Sequence, residues 1–327
     1  MITPTLRSIL KKQKYKIVGT HEHSGVKLCH WMRQKLLFDR PCYKESFYGI
    51  KTHRCLQFTP TINHCTQKCL FCWRYQGFSE TKFTDEPDDP AEILDQAILA
   101  QRNLITGFKG DSRCNQEYWR EANEPNQVAI SLSGEPTLYP KLGEFIELCN
   151  RRGITTFLVT NGTQPEVLRN LEPLPTQLYV SITAPNKEIY KRLCVPMLEF
   201  GGKQMNGVEP NNPKHGWEAI LETLGLLPSL DTRTVIRHTL VSDWNLGWEA
   251  EYAKLDKIAE PMFIEPKSYV FVGYSRQRMT IKNMAHHEQI QAFSNKLAAK
   301  LGYTVNAERP DSRVVLLARD GTKPKIN

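Results

Sequence analysis

The sequence predicts an α/β fold: an incomplete, TIM-like (β/α)6 barrel with an N-terminal and a C-terminal extension. Three observations predict it. Six short runs rich in Val, Ile, Leu, Thr and aromatic residues recur after residue 55, as buried parallel strands do. Amphipathic segments lie between them, the alternation expected of βα units with right-handed crossovers. The 327 residues, 40% of them apolar, are enough for one α/β barrel with a sizeable core. An open doubly wound sheet shows the same alternation and stands as the alternative.

In order, strands are expected at Leu56–Ile62, Val128–Leu132, Thr155–Thr160, Leu178–Ile182, Thr234–Val241 and Tyr269–Val272. The first helix is expected to run from Pro90 to about Leu104, because Asp89 precedes a proline at the first turn and acids follow. Further helices are expected at Lys141–Arg152, Pro165–Asn170, Lys187–Leu193, Trp217–Leu227, Trp248–Ile258 and Ala285–Leu301. Residues 1–54 then form a basic extension packed on the barrel, 55–301 the barrel itself, and 302–327 a second basic extension ending in Lys323-Pro324-Lys325.

Charge is unevenly placed. The formal net charge is +8. Residues 1–54 hold twelve Lys and Arg against three Asp and Glu, and residues 276–327 hold ten against four. The middle of the chain holds 21 against 28. Basic ends around an acidic middle suggest a footprint for a polyanion, with a solvated basic face as the plainer reading. No run of 18 apolar residues occurs, so no membrane span is expected. The N-terminal residues lack an apolar core and a cleavage site, so a cytoplasmic protein is expected.

Nine cysteines in such a chain read as ligands, catalysts or core residues rather than disulfides. Six lie between residues 29 and 72, whereas Cys114, Cys149 and Cys194 stand apart and read as structural. Directly after the first expected strand comes Asn63-His64-Cys65-Thr66-Gln67-Lys68-Cys69-Leu70-Phe71-Cys72-Trp73-Arg74, a C-x3-C-x2-C spacing. Three close thiolates can hold three irons of a [4Fe–4S] cube and leave the fourth open to a ligand. A zinc site completed by His64 or His53 is the alternative, although zinc pairs are usually spaced C-x2-C.

A second segment, Val128-Ala129-Ile130-Ser131-Leu132-Ser133-Gly134-Glu135-Pro136-Thr137, runs from a strand into a turn. Gly134 allows close backbone approach, and Glu135 with nearby carbonyls can accept hydrogen bonds from an ammonium group. With the cysteine triplet it resembles the radical S-adenosylmethionine (SAM) superfamily, whose fold is a partial barrel of the expected kind. The resemblance implies that the open iron binds SAM. It implies cleavage of SAM to methionine and a 5′-deoxyadenosyl radical, and a role for Ser133, Gly134 and Glu135 at the SAM amino group. Ser133 departs from the usual glycine. The resemblance also places Asn161, Ser181 and Thr183, at the ends of later strands, near the ribose and the methionyl carboxylate. On their own, such residues read equally well as loop caps.

Cys29, Cys42 and Cys55 form a second set, spaced C-x12-C-x12-C. By itself it is weak, since free cysteines are often buried. The joint pattern C-x12-C-x12-C-x9-C-x3-C-x2-C closely resembles the archaeal-type tRNA 4-demethylwyosine synthases. Val270-Phe271-Val272-Gly273-Tyr274-Ser275 resembles them too, and the likeness extends in outline over most of the chain. It implies two [4Fe–4S] clusters, the second held by Cys29, Cys42 and Cys55. It implies tRNA-Phe carrying N1-methylguanosine-37 and pyruvate as substrates, an imidazopurine ring as product, and loss of the pyruvate carboxyl carbon, a lyase-type step in wybutosine biosynthesis. A family lysine two residues after the middle cysteine captures pyruvate as a Schiff base, and here that residue is Lys44. By residue type alone Lys44 is one of twelve basic residues in its segment. The electron donor is expected to be a separate protein and the enzyme a monomer.

Other residues are less telling. His21, His23, His30, His53 and His64 crowd the cysteine region and read as structural or phosphate-contacting. Trp31, Trp73 and Tyr75 suit base stacking or core packing. Arg276 and Arg278 suggest anion contact. Two rival functions remain at this point: a radical SAM activase of a protein, and a zinc-dependent tRNA-binding module.

Overall fold

The computed structural model describes residues 2–197 and 216–326. Ten strands form one sheet: β1 (Lys16–Val18), β2 (Ser24–Val26), β3 (Cys55–Thr59), β4 (Gln127–Ile130), β5 (Thr155–Thr160), β6 (Gln177–Ser181), β7 (Arg233–Leu240), β8 (Phe263–Ser268), β9 (Thr304–Arg309) and β10 (Val314–Ala318). From β3 to β8 all neighbours are parallel and follow chain order. A doubly wound sheet reverses its strand order at a switch point; this sheet does not. β2 pairs with β3 and β1 with β2, both antiparallel, at one edge, and antiparallel β10 and β9 extend the other. β1 and β9 are the free ends of the sheet. The barrel is therefore open.

The helices are α1 (Pro4–Lys12), α2 (His30–Phe38), α3 (Tyr43–Tyr48), α4 (Pro90–Ile105), α5 (Gln116–Ala122), α6 (Leu142–Arg151), α7 (Pro165–Arg169), α8 (Lys187–Ile189), α9 (Trp217–Leu226), α10 (Glu249–Ala259) and α11 (His287–Leu301). Asp89 caps α4 by accepting from the Ala91 and Glu92 amides, with Pro90 at the first turn. Along the strands the side chains alternate. Leu56, Phe58, Val128, Ile130, Leu158, Leu178 and Ile236 belong to the main core with the helices. Gln57, Ala129, Val159, Ser181, Arg237 and Lys267 face an interior cavity.

Two departures from the sequence reading bear on function. The last barrel strand is Phe263–Ser268 rather than Tyr269–Val272. Glu265, Pro266 and Lys267 break its apolar run, and Lys267 and Glu265 do so because they are turned toward the barrel interior. The N-terminal extension also does more than pack on the barrel. Tyr43, Phe47 and Tyr48 of α3 are buried among Phe157, Tyr179, Val235, Phe263, Val314 and Leu316, so α3 plugs the barrel interior. The C-terminal tail is pinned beneath it. Ile326 donates its amide to Tyr48 O at 2.9 Å, and Arg233, at the start of β7, donates to Lys323 O and Pro324 O. The tail thus lies away from the strand C-termini, and Lys325 is bonded to Ser46 O rather than held out for a polyanion.

Candidate active site

The strand C-termini open on a cavity of about 520 Å³. It is lined by all six cysteines of the two triads, by Lys44, and by Ser133, Gly134, Glu135, Asn161, Ser181 and Thr183. The six cysteines, Lys44 and the six expected SAM contacts therefore meet in one space.

The first triad sits on a loop fastened from both sides. Lys68 and Leu70 donate their amides to Val195 O and Leu193 O, and Cys65 to Glu80 O. Arg278 donates to Leu70 O at 3.1 Å and to Cys72 O, so this arginine clamps the loop instead of facing outward for an anion. Gln76 donates to Cys69 O. Arg74 is buried, at 3% exposure, and donates to Gln67 O and Ser79 Oγ. It makes no ion pair with a carboxylate among the described residues, yet it lies within electrostatic reach of Cys65, Cys69 and Cys72. A guanidinium buried without an anion is costly; one beside three anionic thiolates is not.

The Gly134 turn is pressed against this loop. Gly134 has φ +71°, and a Cβ there would stand 1.7 Å from Thr61 O and 2.7 Å from His64 O. Glu135 is buried and ties the strand ends together. It accepts from Thr137 Oγ1 and Thr160 Oγ1, both at 2.7 Å, and from the Asn161 amide at 2.7 Å. Burial pushes its carboxyl up while those bonds hold it down. Asn161 in turn donates to Thr66 Oγ1 at 3.0 Å. Gly134→Ala is expected to destabilise the fold by about 2 kcal/mol or more, from backbone strain and clash together, and to lose iron at the first triad. Thermal denaturation and iron analysis check it.

The second triad lies below the first, where α3 meets the barrel wall. Burial pushes the Cys42, Cys55 and Cys65 thiols up to about 12. Thiols of that kind are not nucleophiles, and a bound metal is what makes them anionic. Around the second triad stand groups that sequence reasoning missed. Arg237 of β7 meets Glu265 of β8, Nε at 3.0 Å and Nη2 at 2.7 Å. Tyr48 donates to the same carboxylate at 2.7 Å, and Tyr179 and Tyr43 at 3.3 Å each. Lys44 is buried, its Nζ 4.8 Å and 4.5 Å from the ring centres of Phe157 and Tyr179. Burial and then Arg237 lower its affinity for a proton, against Glu265, Cys55 and Cys42. Lys267 is pushed down to about 8, by burial and then by Arg237. Lys44, Arg237 and Lys267 thus face one carboxylate, Glu265, in a wall that also carries the thiols of Cys29, Cys42 and Cys55.

The histidines of the zinc alternative are elsewhere. His53 Nε2 meets Glu121 Oε2 at 2.5 Å and stacks on Tyr118. His64 Nε2 faces Glu80 and Asp85, at 3.6 and 3.7 Å. Neither lines the cavity. Among the described residues no three His, Cys, Asp or Glu side chains close on a single-ion site. The donor set fits two cuboidal clusters with cysteines on separate irons. Trp73 is engaged as well: it stacks on Tyr15 at 5.9 Å, and the Lys27 amine lies 4.3 Å from its ring.

An open barrel with a three-thiol loop at the mouth of its first parallel strand is the architecture of the radical SAM class. Residues 59–255 match the model of the radical SAM superfamily, which brings SAM and a [4Fe–4S] cluster with it. Residues 258–319 match the model described as wyosine base formation, a stretch that includes β8 with Glu265 and Lys267. A relative from Pyrococcus horikoshii, named S-adenosyl-L-methionine-dependent tRNA 4-demethylwyosine synthase, is 48% identical over 97% of this chain and 89% of its own length. One of the same name from Methanocaldococcus jannaschii is 40% identical over the whole of both chains. The chain belongs to the tRNA 4-demethylwyosine synthase family. Two solved structures agree over 100% of both chains: TYW1 with a lysine–pyruvate adduct bound, at 37% identity and a TM-score of 0.86, and archaeal TYW1, at 34% and 0.78.

Proposed function

We propose that this protein converts N1-methylguanosine-37 of tRNA-Phe, with pyruvate, to the tricyclic 4-demethylwyosine base in wybutosine biosynthesis. The observation that carries the reading is the single cavity that joins Cys65, Cys69 and Cys72 to Lys44, Cys29, Cys42 and Cys55. In this reading the first triad holds the cluster that binds SAM and the second triad holds another [4Fe–4S] cluster. Bound there, cluster and SAM supply a 5′-deoxyadenosyl radical able to take hydrogen from the N-methyl group.

The chain's own residues do the rest. Lys44 attacks the pyruvate carbonyl as a neutral amine, the carbonyl oxygen leaves as water, and the imine fixes the two-carbon acceptor. The adduct named for the TYW1 structure supports this assignment. Arg237, beside Lys44, favours the neutral amine. Because the pyruvate C1–C2 bond breaks, the enzyme is a carbon–carbon lyase. The same reading takes it as a cytoplasmic monomer served by a separate electron-donor protein. No helix among the described residues is long and apolar enough to cross a membrane.

The test is an anaerobic assay of methylated tRNA with SAM and reductant, with and without pyruvate; tricyclic base formed only with pyruvate is the expected result. Binding to tRNA is expected to be electrostatic, from the basic N-terminal segment. Affinity should fall on the order of tenfold to a hundredfold as salt rises from about 50 to about 200 mM. Deleting the pinned tail after Gly321 should not alter that slope. Filter binding across a salt series checks both.

A further inference from the structure

Three cations reach the lower cavity, and they are not equivalent. Arg237 has its charge paired: its Nε and Nη2 hold Glu265 Oε2 at 3.0 and 2.7 Å, and Nη2 also meets Tyr43 OH at 2.7 Å, which leaves only Nη1 without a bond among the described residues. The other oxygen of Glu265 is taken by Tyr48 and Tyr179. That carboxylate therefore has nothing left for a second cation. Lys44 lies on aromatic faces, with no carboxylate at ion-pair distance among the described residues, and a lysine bound as an imine has no ammonium to offer an anion. Lys267 is the third. Its Nζ donates to one neutral acceptor, Ser312 O, at 2.6 Å, and pairs with no carboxylate among the described residues. An ammonium has three donors, so two remain, and the residue lines the cavity beside Cys42 and Lys44. It stands 5.4 Å from the ring of Tyr43, the neighbour of Lys44, so both amines serve the same wall. A partly buried ammonium in a cavity wall, with spare donors and no carboxylate partner, is a receptor for an anion.

We propose that Lys267 binds the carboxylate of the α-keto acid whose carbonyl Lys44 captures, and thereby selects an anionic substrate over a neutral one. The proposal rests on the reading of Lys44 given above and adds a specificity residue to it. A lysine on β8 holds one end of the substrate while a lysine on α3 reacts with the adjacent carbon.

The test is equilibrium binding of labelled pyruvate and of methyl pyruvate to anaerobically reconstituted enzyme, without tRNA. Methyl pyruvate has the same carbonyl and no charge. Wild type should prefer pyruvate by about tenfold or more, the worth of one charge-assisted bond. Lys267→Gln should abolish the preference by weakening pyruvate alone, and Lys267→Arg should keep it. Iron per chain should be unchanged in both. A wild-type enzyme without the preference overturns the proposal before any variant is made. So does a Gln variant that weakens both ligands equally, which would mean that Lys267 only balances the charge of the second cluster. Borohydride labelling of Lys44 is scored separately. Its absence, with the Lys267-dependent preference intact, would remove the imine and leave the carboxylate site.

Discussion

Lys44→Arg enzyme is expected to keep its iron and to cleave SAM at near the wild-type rate, yet to make no tricyclic base. The substitution separates charge from nucleophilicity. Arginine preserves a cation over the rings of Phe157 and Tyr179, but a guanidinium neither gives up its proton near neutral pH nor forms an imine. Lys44 fits the task because it is buried beside Arg237, and both conditions disfavour the ammonium form. Product should fall below about 1% of wild type, since no other amine on the cavity wall is free of a competing role. Borohydride with labelled pyruvate should mark Lys44 in wild type and nothing in the variant. Efficient ring formation by the arginine variant would reduce Lys44 to one more member of the buried charge cluster.

The part of this site that was legible in the sequence is the part written in local spacing. The triplet Cys65, Cys69 and Cys72 and the Gly134-Glu135 turn each occupy one loop, so ligand spacing and turn chemistry reveal them. The matching interval of Cys29, Cys42 and Cys55 is longer but still confined to one segment. The parallel strands from β3 to β7 are likewise readable, because Val, Ile, Leu, Thr and aromatic residues dominate each run. Arg237, Glu265 and Lys267 were not. Tyr43 and Glu265 are 222 residues apart, and nothing local announces that they bond. Worse, Glu265 and Lys267 interrupt the one pattern that identifies a strand, so β8 was placed six residues too late, on Tyr269–Val272. A charged residue inside a barrel strand is unfavourable for packing and useful to a site, and the same feature that hid the strand marks its function. The α3 plug was hidden for another reason. Six residues carrying Lys44 and Glu45 show no amphipathic period long enough to read, although Tyr43, Phe47 and Tyr48 are all buried.

Alanine in place of Cys29, Cys42 and Cys55 together is expected to lower iron from about eight to about four atoms per chain, while SAM cleavage to 5′-deoxyadenosine continues. Alanine at Cys65, Cys69 or Cys72 is expected to abolish cleavage by leaving that cluster under-ligated. The two triads share a cavity but not a scaffold. The first is held by the loop after β3 and clamped by Arg278 and Gln76. The second is carried at the starts of α2, α3 and β3, so its loss leaves every bond of the first loop in place. Its loss does leave Lys44, Arg237 and Lys267 against Glu265 with fewer anions, so the triple variant should also be less stable and form no ring. The decisive measurement is iron and 5′-deoxyadenosine on the same preparation. Four irons with cleavage and no tricyclic base would assign the upper triad to radical generation and the lower one to the acceptor. Undiminished iron would mean that Cys29, Cys42 and Cys55 are ordinary thiols of the barrel wall, and the three cations around them would then need another anion.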